Sequence, residues 1–206
     1  MSSDVHLPAG PADERAGPAA VFRNLADIVY ASDDFDDIYN EVCTVTPRLV
    51  SGCDHASLMV SFDGKPVTFA ASDEIARRVD GLERELNEGP CVDAITGAPV
   101  YVSSDFPAES PWPKLTAKVL AQTPVRGAAG FRLRVGDHQV GALNLFADLA
   151  GQLDDRSVNE GIMLASFVSV TLAAVSQREA AASLRAGLDS NREIGKAVGL
   201  MMAFYK

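Results

Sequence analysis

Only three of the 206 residues are cysteine and three are histidine, and that scarcity removes several kinds of protein at once. Cys43, Cys53 and Cys91 are odd in number and widely spaced, which fits neither a disulfide framework nor a Cys-x-x-Cys metal site and points to a reducing cytoplasm. His55 and His138 each stand beside one aspartate, Asp54 and Asp137, with no further histidine, cysteine or carboxylate at ligand spacing. No metal, haem or other cofactor is therefore expected. Apolar runs fall short of the roughly 18 residues that span a bilayer, so no membrane partner is expected. The N-terminus "MSSDVHLPAGPADERAGPAA" lacks the basic start and apolar stretch of a secretory signal; residues 1–19 read as a disordered tail. Basic charge is also short, with 18 Lys and Arg against 28 Asp and Glu. The resulting net charge of −10 repels a phosphate backbone, so this chain by itself is not expected to bind nucleic acid tightly.

Catalytic signatures are missing too. There is no Gly-x-Ser-x-Gly, no phosphate-cradling glycine loop and no His-Glu-x-x-His. The carboxylate pairs Asp33–Asp34, Asp36–Asp37 and Asp154–Asp155 stand at predicted helix starts, where the helix dipole explains them. The chain is accordingly expected not to be an enzyme. Cys91 follows Gly89-Pro90 at a helix entry, where first-turn amides lower a thiol pKa, so a redox role is conceivable. The plainer reading is a small buried apolar residue.

What is present is patterned. Val21, Phe22, Leu25, Ile28 and Val29 form one helical face, and Phe35, Ile38, Tyr39, Val42 and Val45 form a second, which Pro47 should kink or end. From Ala56 the period becomes two: Leu58, Val60 and Phe62 alternate with Ser57, Met59 and Ser61. "DGK" then turns the chain into a second strand around "PVTFA". Ile75, Val79, Leu82 and Leu86 return to helical spacing, weakened by Gly81. "EGPCVDAI" enters a short helix at Gly89-Pro90 that leaves at Gly97, and "PVYVS" reads as a strand. After the loop "FPAESPWPK" comes another helix, then two alternating strands about a Gly-Asp turn in "AGFRLRVGDHQVGALNLFA". The remainder contains no proline and reads as one long helix over 156–204, apolar nearly all round from 162 to 175. The fold class is α+β: at least five strands, mostly antiparallel, with helices on the faces of the sheet.

This order, with "EGPCVDAI", "APVYVSSDF", "WPKL", "GALNLFA" and "LDDRSVNEG", resembles a GAF domain, a sensory module related to PAS domains, over residues 20–176. It is similar to the actinobacterial GAF domains that precede an ANTAR module, the RNA-binding output of transcription antiterminators. "AGLDSNREIGKAVGLMMA" within 177–206 resembles the first helix of that module, whose later helices provide much of the RNA-binding surface. The resemblance implies a sensor that reaches RNA only through the missing part of the ANTAR module. It also implies a ligand pocket between the sheet and the helical insertion over 73–121, with Phe69, Cys91, Tyr101, Trp112 and Phe131 as candidate lining. The Asn-Lys-Phe-Asp-Glu constellation of cyclic-nucleotide GAF domains and a bilin-attachment cysteine pattern are both absent. Some GAF folds reduce methionine sulfoxide with cysteines, which would leave Cys91 as the candidate here.

In the last helix Leu184, Leu188, Asn191, Ile194, Val198 and Met201 are spaced four, three, three, four and three. That is a heptad seam with one stammer, and it fits a parallel homodimer with Asn191 fixing register. The same residues could instead dock on the rest of an ANTAR module. The competing function is a stand-alone GAF module for dimerisation or protein interaction.

Overall fold

The computed structural model describes residues 23, 25–27, 35–62, 65–108, 110–174 and 177. Helix α1, Phe35–Leu49, buries the expected stripe of Ile38, Tyr39 and Val42. Pro47 lies inside it, and the helix runs on to Leu49. A proline this close to the end forfeits one hydrogen bond and leaves the earlier turns intact. Strands β1, His55–Phe62, and β2, Lys65–Ala71, form the expected hairpin, with a register shift between Leu58 and Met59. Helix α2, Glu74–Leu86, starts on Asp73, whose carboxylate accepts the Ala76 N–H at 2.9 Å. Helix α3, Pro90–Thr96, is entered at Gly89 and left at Gly97. Strand β3, Val100–Ser103, helix α4, Pro113–Gln122, and strands β4, Gly127–Val135, and β5, His138–Ala147, follow. Helix α5, Asp155–Ala174, closes the described chain.

The strands form one five-stranded sheet in the order β2-β1-β5-β4-β3, with every neighbouring pair antiparallel. Both faces are covered, which corrects the simple alternation expected of β1. Leu58, Leu143, Leu145, Phe131 and Leu133 face α1 and α5, in one core with Ile38, Val42, Leu164 and Val168. Met59 and Ala142 face Cys91 and Ala94 of α3, while Ala128 and Phe146 pack with Val79, Leu82, Leu115 and Val119 of α2 and α4. Ser57 and Met59 are consequently as buried as Leu58. A strand in the middle of a two-sided sheet has no solvent face.

Helix α5 is held at its first turns. Asp154 accepts the Ser157 N–H at 3.0 Å, and this bond keeps its carboxyl below the usual aspartate range. Ser157 donates to the Ser51 carbonyl at 2.6 Å, and Glu160 accepts the Ser51 N–H at 2.7 Å. Gly161 rests on the Phe131 ring, where a side chain would collide. The sequence reading found no membrane-length apolar run, yet α5 is long and apolar enough to cross a bilayer by length and composition. Its inner residues Leu164, Ala165 and Val168 are instead committed to the sheet. Of the first expected helix, Leu25 is described and is buried; Val21, Phe22, Ile28 and Val29 lie outside the described residues. So does the whole seam of Leu184, Leu188, Asn191, Ile194, Val198 and Met201.

Helix α3 and strand β4 approach backbone to backbone: a Cβ on Gly130 would stand 2.5 Å from the Pro90 carbonyl oxygen. Backbone cannot retreat as a flexible side chain can, so Gly130→Ala should lift α3 from the sheet. We expect a loss of about 1–3 kcal/mol in urea denaturation; an unchanged midpoint would contradict this packing.

Candidate functional site

The inner face of α2 carries two acids among its apolar residues. Asp80 and Glu83 are one turn apart, beside Val79 and Leu82, and both are fully buried. Asp80 gathers three strands. Its Oδ1 accepts from the Ser57 hydroxyl of β1 at 2.7 Å and from Nδ2 of Asn144 on β5 at 3.2 Å; its Oδ2 accepts from the Thr68 hydroxyl of β2 at 2.9 Å. Asn144 also donates to the Ser57 Oγ at 3.2 Å. Burial pushes the Asp80 carboxyl up to about 6, with the three hydrogen bonds and then Arg84 opposing it.

Glu83 points at the start of α3. Its Oε1 accepts the Cys91 N–H at 3.3 Å, and its side chain lies against Gly89, where φ is 142° and a Cβ would collide with it. Burial, then the neighbouring charge of Asp80, holds the Glu83 carboxyl well above the usual glutamate range. Cys91 is fully buried, and burial followed by the charges of Glu83 and Asp80 raises its thiol well above the ordinary value. The conceivable thiolate at a helix entry is thus corrected: the carboxylates beneath the helix and the loss of water outweigh the first-turn amides. All three cysteines are free and buried.

The five candidate pocket residues fall on two faces of the sheet. Cys91 and Tyr101 meet beside Met59 and Ala142, and the Tyr101 hydroxyl accepts the Ala98 N–H at 3.2 Å. Trp112 caps the start of α4 and donates from Nε1 to Asp93 Oδ2 at 2.8 Å, tying α3 to the loop before α4. Phe69 turns the other way, edge-on to Tyr39 of α1 with ring centroids 5.5 Å apart, and Phe131 lies under α5. Thr68 and Gly130, their strand neighbours, face α2 and α3. With a period of two, those five residues cannot line one pocket.

The described residues also form open depressions away from Cys91. One, about 360 Å³, runs between β4 and α5 along Phe131, Ile162 and Ala165. Another, about 680 Å³, is polar and follows β3 along Ser103, Ser104, Asp105 and Ser110. His55 is a brace: Nδ1 lies 2.6 Å from Asp73 Oδ2 and Nε2 lies 3.2 Å from Asp148 Oδ1, joining β1 to the α2 entry and the end of β5. Burial acts to raise the Asp73 carboxyl, but the bonds from Ala76 N–H, His55 and Ser72 leave it below its ordinary value. Among the described residues no three His, Cys, Asp or Glu side chains converge as a metal set.

A sequence model of the GAF domain matches residues 32–173, well over half of the chain. The chain belongs to the GAF domain family. The GAF fold recurs in solved structures of low sequence identity. Free methionine-R-sulfoxide reductase from Neisseria meningitidis, in complex with its substrate, is 14% identical over 84% of this chain and 98% of that one, with a TM-score of 0.63. The GAF domain of a phosphoenolpyruvate-protein phosphotransferase from Coxiella burnetii is 15% identical over 78% and 95%, with a TM-score of 0.60. The phycoerythrobilin-bound GAF domain of a cyanobacterial phytochrome is 14% identical over 80% and 98%, also with a TM-score of 0.60. No curated protein matches the chain in sequence. The expectation that the chain is not an enzyme is corrected by these neighbours. The reductases use this same fold, so missing hydrolase and phosphate-loop motifs do not exclude catalysis from a GAF domain.

Sequence reasoning passed over Asp80, Glu83, Ser57, Thr68 and Asn144. The signal was available in part: Ala76, Val79, Asp80 and Glu83 are spaced three, one and three, which is itself a helix stripe. Because the folded Asp80 carboxyl lies above its unfolded value of 3.8, the stability it contributes is full below that value and is lost as pH rises through about 6. The stability advantage of the native chain over Asp80→Asn should therefore shrink as pH rises from about 4 to 6.5 and level off above. Urea denaturation at several pH values checks this; parallel curves would refute it.

Proposed function

We propose that this GAF domain is the sensory module of a cytoplasmic, ANTAR-type RNA-binding antitermination regulator that works as a homodimer. A small-molecule or protein signal acts on the domain, and RNA is reached only through an ANTAR module, whose first helix the segment "NREIGKAVGLMMA" resembles. The observation that carries the reading is the outward face of α5. Ile162 and Val170 are 42% and 69% exposed on a helix whose other face is locked to the sheet. No charged residue occurs from Gly161 to Gln177, and the sequence continues into "NREIGKAVGLMMA". Such a face suits pairing with the same helix of a second copy. The three free, buried thiols fit a reducing compartment.

In this reading α5 is both the lid of the sheet and the output rod. A signal that alters how the domain packs changes the pitch or register of the paired helices, and a differential of about 1–3 kcal/mol suffices for the coupling. The same α5 face supports a second reading, a stand-alone GAF module that pairs with related chains.

Light scattering on the chain should give twice the chain mass, and Val170→Glu should give a monomer with unchanged circular dichroism. Joined to the remaining helices of an ANTAR module, the chain should bind paired RNA stem-loops, and Val170→Glu should weaken that binding about 100-fold through lost bivalency. A monomeric native chain would sink the homodimer, and RNA binding indifferent to Val170→Glu would leave the stand-alone module.

A further inference from the structure

The hydrogen-bond inventory around Asp80 and Glu83 is unbalanced in one direction. Two fully buried side-chain atoms there, Glu83 Oε2 and Asn144 Oδ1, have no hydrogen-bond partner among the described residues. An ionised carboxylate and an amide oxygen only accept, so both deficits are of donors. Glu83 reaches Cys91, whose N–H its Oε1 accepts at 3.3 Å; burial and the two acids raise the Cys91 thiol, and Asn144 acts to lower it. One proton on Glu83 Oε2 turns that oxygen from an orphan acceptor into a donor and removes the second buried negative charge.

The surroundings provide little else to neutralise the pair. On α2, Arg84 is the basic group that offsets the burial of Asp80, and it is the smallest of the causes that act on that group. On α3, Asp93 adds to the pressure on Glu83, and Cys91 is a neutral thiol. From the sheet come Ser57, Thr68 and Asn144, which are uncharged donors already engaged with Asp80. His55 on β1 is committed to Asp73 and Asp148. From the α1 side the titratable group is Cys43, whose thiol burial pushes up to about 12, with Asp80 raising it further.

We propose that the Asp80–Glu83 pair is a proton-binding latch: a proton held on Glu83 keeps α3 seated between α2 and the sheet, and its release to solvent opens that seam. This names protonation as the signal of the sensory site and rests on the sensory reading only for its consequence, not for the latch itself. When Glu83 ionises, two carboxylates one helical turn apart repel each other in a dry interior, and Glu83 can reach water only by leaving Gly89 and the Cys91 N–H. Helix α3 meets β4 along Gly130 and Cys91 meets Met59 and Ala142, so the opening is transmitted to the centre of the sheet.

The test is hydrogen exchange of residues 89–97 in the full chain from pH 6 to 8.5, corrected for the intrinsic rate at each pH. Opening that releases one proton should rise about tenfold per pH unit. Glu83→Gln, which supplies a donor from its own amide, should abolish that slope while leaving exchange elsewhere unchanged. A native chain with no slope, or a Glu83→Gln chain with the native slope, overturns the latch. Carbon-13 shifts of the native Glu83 carboxyl decide the matter if the variant does not fold: a proton retained above pH 7 supports the proposal, and a carboxylate already ionised at pH 6 ends it. An exchange slope, with RNA binding by the ANTAR-joined chain that ignores pH and every other signal, supports the latch and sinks the sensory reading. RNA binding that responds to other signals with no exchange slope does the reverse.

Discussion

One buried carboxylate organises this domain. Asp80 accepts hydrogen bonds from β1, β2 and β5 while its own backbone belongs to α2, so a helix and three strands share a single polar joint in a dry interior. The arrangement is directional in a way that apolar packing is not. Moving α2 along the sheet by one residue would strand three donors, each at a cost of about 1–3 kcal/mol. Register between helix and sheet therefore follows from Asp80, and the position of α3 follows from α2 through Glu83 and Cys91.

The sheet divides the molecule into two compartments of different character. Towards α1 and α5 the strands present Leu58, Phe131, Leu133, Leu143 and Leu145, a continuous apolar surface that tolerates no ions. Towards α2 and α3 they present Ser57, Thr68, Gly130, Ala142 and Asn144, small or polar residues that let helices approach closely and leave room for charge. Strand β5 sits at the centre of the sheet and serves both sides with alternate residues, Leu143 and Leu145 to one, Ala142, Asn144 and Phe146 to the other. A change on the polar side thus reaches the α5 side through one strand's thickness.

The polar compartment separates this GAF domain from a simple ligand cradle. Cys91, Tyr101 and Trp112 are packed among protein atoms and hydrogen-bonded to them, with Trp112 spent on Asp93 and Tyr101 on Ala98. The GAF fold recurs in a bilin-bound domain, a phosphotransferase domain and a sulfoxide reductase, so the fold by itself does not fix the chemistry. In this chain the compartment holds two acids, and among the described residues Glu83 Oε2 and Asn144 Oδ1 meet no donor.

Periodicity made most of the fold legible. The α2 stripe, the Gly89-Pro90 entry and Gly97 exit of α3, and the two hairpins are local: backbone preferences and side-chain spacing of two or 3.6 residues settle them without reference to the rest of the chain. The family resemblance over "EGPCVDAI" and "GALNLFA" rests on the same local marks. What local pattern could not decide was which face each strand residue would meet. Phe69 and Phe131 look like partners of Cys91 until the sheet is assembled, when strand parity sends them to the opposite side. Likewise Asp80 and Glu83 carry no local mark of burial until β1, β2 and β5 bring Ser57, Thr68 and Asn144 against the first and α3 brings Cys91 against the second. The amino-acid sequence by itself determined the elements and their order; only the tertiary structure decided which charges lost their water, because desolvation depends on what the rest of the chain packs over a residue.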